Sequence, residues 1–147
     1  MLYADRLRVW TERLAHHALQ GGVWDKAYDY FRQAGTSAMA GSAHREAVTC
    51  LEQALAALQH LPEHRDTIEQ AIDLRFSLRG VLLQLGEFER VRTYMHEAEA
   101  LAQTLDDPHR FWRAQAHAEC STAVMLFRSL HMTLWLSQAE NALAQVL

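Results

Sequence analysis

Nine histidines, two cysteines and several carboxylate pairs are the residues whose chemistry could go beyond packing, and their spacing decides what they can do. His16 and His17 are adjacent, so on a helix they point about 100° apart and do not converge on one ion. His60 and His64 have the i, i+4 spacing of a helical metal pair, but Pro62 between them interrupts the helix that would align them. Glu87/Glu89 and Glu97/Glu99 stand two apart, a spacing whose members face different ways and read as a solvated surface. No G-x-x-x-x-G-K-[ST] cradle and no G-x-G-x-x-G turn is present. Cys50 and Cys120 both fall within helical patterns and read as buried, reduced thiols. The residues therefore point away from an enzyme, and no metal or cofactor is expected.

Composition sets the wider bounds. A chain of 147 residues forms one domain or one array, large enough to bury roughly 70% of its unfolded surface. Half of the residues are hydrophobic, alanine and leucine dominate, and only six glycines and two prolines interrupt them, so an all-α fold without sheet is predicted. The formal charge of -4, with signs interspersed, leaves no footprint for nucleic acid. The longest apolar stretch, 121–130, is too short to span a membrane and carries Arg128. A cytoplasmic setting is expected, and Met1 leads straight into a helical pattern, as in a fragment of a larger protein.

The elements that must position any site follow from a repeated frame. Ala47-x-x-x-Leu51-x-x-Ala54 recurs as Val91-x-x-x-Met95-x-x-Ala98 and as Trp135-x-x-x-Ala139-x-x-Ala142, 44 residues apart each time. Fixed-period similarity in a helical pattern marks a solenoid whose units bury their apolar faces against neighbours. Seven helices are predicted, at 3–20, 24–40, 43–59, 65–85, 88–105, 109–128 and 132–146. They divide into a leading helix (1–22) and hairpins at 23–60, 64–105 and 108–147. Leu7, Trp10, Leu14 and Ala18 form the inward stripe of the first helix, and Ala27, Phe31, Ala34 and Ala38 that of the second. Ile68, Ala71, Ile72, Leu78, Leu82 and Leu85 face inward on the fourth, and Trp10, Trp24, Phe31, Phe88 and Trp112 read as core aromatics. Gly35 in mid-helix predicts close approach of a neighbouring helix. Gly21-Gly22 and Gly86 suit left-handed C-caps, Ser42 and Asp107 suit N-caps, and Pro108 suits a first helical position. The turn at 129–132 has neither glycine nor proline and rests on the 44-residue period.

The frame, with the turn Gly86-Glu87-Phe88-Glu89-Arg90-Val91, resembles tetratricopeptide (TPR) repeats. The period is longer than that family's, and Trp135 stands where alanine is usual. Leu2-Tyr3-Ala4-Asp5-Arg6-Leu7, Val23-Trp24-Asp25-Lys26-Ala27, Glu52-Gln53-Ala54-Leu55 and Ala71-Ile72-Asp73-Leu74-Arg75 are similar to the TPR-like part of large bacterial signalling ATPases, often fused to class III adenylate/guanylate cyclase domains. The resemblance implies a right-handed TPR-like solenoid that serves as a regulatory, partner-sensing segment, and none of the ATPase or cyclase motifs lies in these residues.

In such a solenoid the first helices of successive units line a concave face. Register places Asp29, Arg32 and Thr36, then Asp73, Phe76 and Gly80, then His117, Cys120 and Phe127 on that face. Mixed charge with an apolar anchor suits an extended or helical peptide, or an adjacent domain of the parent chain. The rival expectation is a small ligand held near Phe76 and His117. Leu134, Leu136, Leu143 and Leu147 would face a following unit that this sequence does not supply, which predicts a homodimer through terminal helices.

Overall fold

The structure is a computed structural model that describes the backbone of residues 2–146 and the side chains of residues 9–11 and 13–133. Six helices follow one another: α1 (Leu2–Gln20), α2 (Trp24–Ala40), α3 (His44–Leu58), α4 (Arg65–Leu85), α5 (Phe88–Thr104) and α6 (Pro108–Val146). Each packs on the next, and among the described residues there is no strand.

Four of the five connections are one tight turn used repeatedly. Gly22, Ser42, Gly86 and Asp106 take left-handed φ of 69°, 59°, 72° and 53°. One residue later Val23, Ala43, Glu87 and Asp107 each donate their N–H to a carbonyl five residues back, at 2.9–3.2 Å. That six-residue closure satisfies carbonyls the ending helix leaves open. Ser42 is thus not the N-cap of α3 but the left-handed residue that ends α2, and Ala43 precedes α3 without a side-chain cap. Asp107 does cap α6, its Oδ1 accepting from the Arg110 N–H at 3.1 Å. The fifth connection, through Leu61 and Pro62, has no such turn. There the Thr67 hydroxyl accepts from the His64 N–H at 2.8 Å and caps α4.

The turns reveal a longer repeat than the 44-residue spacing of the sequence frame. α2 and α5 begin and end 64 residues apart, and α3 and α6 begin 64 apart. Ala27, Phe31, Ala34 and Ala38 correspond in this way to Val91, Met95, Ala98 and Ala102, and all eight are buried. Two three-helix halves, α1–α2–α3 and α4–α5–α6, therefore share one layout. Ala47 and Val91, 44 apart, hold the first buried turns of α3 and α5.

The equivalence also explains why the described residues form six helices and not seven. α3 ends at Leu58, ahead of Leu61-Pro62, because proline cannot continue a helix. The positions of α6 that match Leu61-Pro62 are Met125 and Leu126, which continue it, so residues 108–146 form one helix in place of the expected hairpin and 129–132 is helical. Arg128 lies over the Phe88 ring at the start of α5, with its guanidinium 5.2 Å from the centroid. α6 runs on beyond that point.

Helix one follows its expected stripe only in part. Ala18 is buried as expected, with Ala15 beside it, while Trp10 and Leu14 are 57% and 46% exposed and the Leu7 side chain lies outside the described residues. Trp112, also read as core, is exposed too. In α4 Leu74 and Val81 are buried besides Ile72, Leu78 and Leu82, since this helix is covered on two sides. Gly35 lies where a Cβ would meet Cγ and Cδ2 of Leu51 at 2.9 Å, which brings α2 and α3 together. Cys50 is buried and Cys120 is exposed, contrary to the reading of both as buried, and neither forms a disulfide.

Candidate functional site

Contacts between non-successive helices sort the elements into two faces. On one, Glu52 of α3 accepts from Arg90 and Tyr94 of α5. On the other, α4 meets α6: Glu69 lies 3.4 Å from Arg110, and Phe76 packs edge-on to His117 with centroids 6.1 Å apart. α2 joins α4 on this second face through a groove of about 350 Å3, floored by Leu51 and walled by Tyr28, Asp29, Arg32 and Thr36 against Asp73 and Ser77.

Around α5, charges of α3, α4 and α5 pair with one another. Arg75 donates to Glu97 at 2.9 Å, Arg92 to Glu89 at 2.6 Å, and Arg90 to Glu87 at 2.6 Å as well as to Glu52. Burial, then the hydrogen bond to Glu52, pushes the Tyr94 phenol up to about 12. The groove face is different. Among the described residues Asp29, Arg32, Asp73, Arg79 and Arg113 have no ion-pair partner.

Those groups lie in two clusters. At the α2–α4 end, Arg32 sits over the Tyr28 ring, 5.9 Å from its centroid. Burial raises the Tyr28 phenol above its ordinary value of 10, Arg32 draws it back, and Asp29 and Asp73 add to the rise. At the α4–α6 end, the Arg113 guanidinium stands 4.2 Å from the Phe76 centroid. His117 is held below its ordinary 6.5 by burial first, then by the charges of Arg79 and Arg113.

The expected face is therefore split. Asp29, Arg32, Thr36 and Asp73 line one groove, while Phe76 and His117 belong to the second cluster. Gly80 faces open space, with nothing within 4 Å of a Cβ built there. Cys120 is exposed, and Phe127 is 70% exposed near the point where α6 leaves α5. Sequence reasoning missed Arg79 and Arg113. Their signal was present, since Arg113 lies one turn before His117 and Arg79 beside Gly80. The side chains of Leu134, Leu136, Leu143 and Leu147 lie outside the described residues. Among the described residues no three metal-ligating side chains come together, and no helix is long and apolar enough to cross a membrane.

A second concavity lies at the α3–α4 loop. Leu55, Leu58, Leu61, Ile68, Ala71 and Leu101 line a cleft of about 280 Å3 with Arg75 and Thr67 at its wall. The looser connection through Pro62 leaves this space between the two helix ends. No protein family, curated protein or solved structure matches the chain.

Proposed function

We propose that the chain is a non-catalytic interaction module, a TPR-like right-handed solenoid whose α2/α4/α6 face receives a segment of a protein partner. One observation carries this reading: Asp29, Arg32, Thr36 and Asp73, from two helices not joined by a turn, line one mostly polar groove with their charges unpaired. Such a lining suits a peptide's polar backbone and side chains better than a small molecule, whose sites are mostly apolar. The resemblance drawn from the sequence supplies the setting, a regulatory segment of a larger cytoplasmic ATPase or cyclase whose adjacent domains are candidate partners. Exposed Trp10 and Leu14 on α1, and Leu126, Phe127 and Leu130 on α6, favour self-association through the terminal helices as well.

A small-ligand sensor is the second reading, and the apolar cleft at Leu55 and Ile68 is what favours it. The site expected for it near Phe76 is covered by Arg113. Selection of the purified chain against a displayed library of random dodecapeptides tests the main reading. Enriched peptides should bind the chain and lose binding to Asp29→Arg/Asp73→Arg. Enrichment of none, or retention of all by the double variant, would overturn it.

A further inference from the structure

The groove face changes sign along its length. Asp29 and Asp73 outnumber Arg32 at the α2–α4 end, whereas Arg79 and Arg113 flank His117 at the α4–α6 end. No acid offsets those two arginines. Glu69, the acid that α4 presents toward α6, is engaged by Arg65 at 3.1 Å and Arg110 at 3.4 Å, and Asp107 by Arg110 at 3.6 Å. Leaving two guanidinium groups and a half-buried imidazole together without a carboxylate is unfavourable unless an anion joins them. The depressed His117 is neutral at pH 7 and keeps one ring N–H to donate.

Resting on the peptide-docking reading, we propose that the α4–α6 cluster beside the groove binds an anionic group, a carboxylate or a phosphate, while Asp29 and Asp73 in the groove receive a cationic side chain of the same segment. Spacing makes the proposal specific. Asp73 and Arg79 are six residues apart on α4, about 9 Å along its axis and about 120° around it. An extended segment rises about 3.3 Å per residue, so its basic and acidic groups stand about three to five residues apart. Gly80 provides the clearance. It is a mid-helix glycine on the face of Asp73 and Phe76, and unlike Gly35 it has no neighbour that needs the missing Cβ. Its packing role is nil, and the space it leaves lets a partner's backbone approach α4 closely.

The two halves of the chain support the assignment. Positions equivalent to Arg79, Arg113 and His117, 64 residues earlier, are Ala15, Thr49 and Gln53. The helical scaffold repeats and the basic cluster does not.

An array of peptides in an alanine–serine background tests this, with one arginine and one glutamate separated by every spacing from adjacent to seven, and a parallel set with phosphoserine replacing glutamate. Binding should peak at a separation of about three to five in at least one chain direction. Arg79→Glu/Arg113→Glu should weaken the preferred peptides at least about tenfold and favour lysine at the formerly acidic position. Preference for the phosphoserine set assigns a phosphate, and equal or better binding of the glutamate set assigns a carboxylate; both support the site. Gly80→Leu, which should stay fully helical by circular dichroism, should bind all of them less well. Flat dependence on spacing, or a charge-reversed variant with unchanged preference, overturns the proposal even where library-selected peptides still bind, so peptide docking survives alone. Absence of any binding, with library-selected peptides failing as well, overturns both.

Discussion

Leu14 and Leu78 stand 64 residues apart at equivalent places in the two halves, yet the first is 46% exposed and the second fully buried. Trp10 and Leu74 differ in the same way, at 57% and 2%. Both helices have a leucine-rich stripe at helical spacing. What separates them is that α4 packs between α3 and α5, which cover that stripe, while α1 packs on α2. A periodic pattern thus states which residues need covering, and the neighbour decides which are covered. Repeated positions carry the packing, and the positions that fail to repeat, Arg79, Arg113 and His117, carry the candidate chemistry.

The sharpest way to break this comparison is to truncate both leucines. Leu78→Ala should lower stability by about 2–5 kcal/mol in urea unfolding, from lost burial plus the cavity left behind. Leu14→Ala should stay within about 0.5 kcal/mol of the parent. An equal loss at Leu14 would show that α1 is covered in solution, and a concentration dependence of that loss would identify a second copy as the cover.

The alanine seam should respond alike in both halves. Ala54 and Ala98 are completely buried, and leucine at either should cost about 1–3 kcal/mol by overpacking. The sequence frame excludes Ala57 and so expects Ala57→Leu to be milder. Ala57 is equally buried, and its substitution should cost as much. A mild Ala57→Leu in the same urea titrations would restore the narrower seam.

Two mid-helix glycines give a smaller contrast. Gly80→Ala should gain up to about 1 kcal/mol, because helix propensity improves and nothing is displaced. At Gly35 the same gain is opposed by Leu51 at 2.9 Å, so Gly35→Ala should melt no higher than the parent. A higher melting temperature for Gly35→Ala would mean that α2 and α3 can separate without cost.

These contrasts also show what could be read in advance. Gly35, Gly86 and Asp107-Pro108 were legible because each has a local steric or hydrogen-bonding requirement visible in residue type alone. The groove residues Asp29, Arg32, Thr36 and Asp73 follow from register along two helices whose bounds the turns define. In the α1 stripe Ala18 was read correctly, while Trp10 and Leu14 were misread because large apolar residues dominate a periodicity count, and the close α1–α2 contact selects Ala15 instead. The seventh helix rested on a period alone, with no residue at 129–132 able to stop α6. Arg79 and Arg113 were passed over because nothing in one dimension tells a paired arginine from an unpaired one.

The smallest expected effect concerns His117, whose equivalent in the first half is Gln53. Its folded pKa lies below 6.5, through burial first and the two arginines second. In the unfolded chain it returns to about 6.5. Between the two values the unfolded state binds more protons, so stability rises with pH through that window. The contribution is complete above about 6.5 and is lost as the pH falls through the folded value. His117→Gln, which copies the first half, should flatten that part of the stability profile without altering it at pH 8. Proton NMR should find a His117 titration midpoint below 6.5, and Arg79→Ala or Arg113→Ala should each move it upward without fully restoring it, since burial remains. A midpoint at or above 6.5 in the ligand-free chain would mean that neither burial nor the two arginines holds His117 down, and a midpoint unmoved by both arginine variants would leave burial as its only cause.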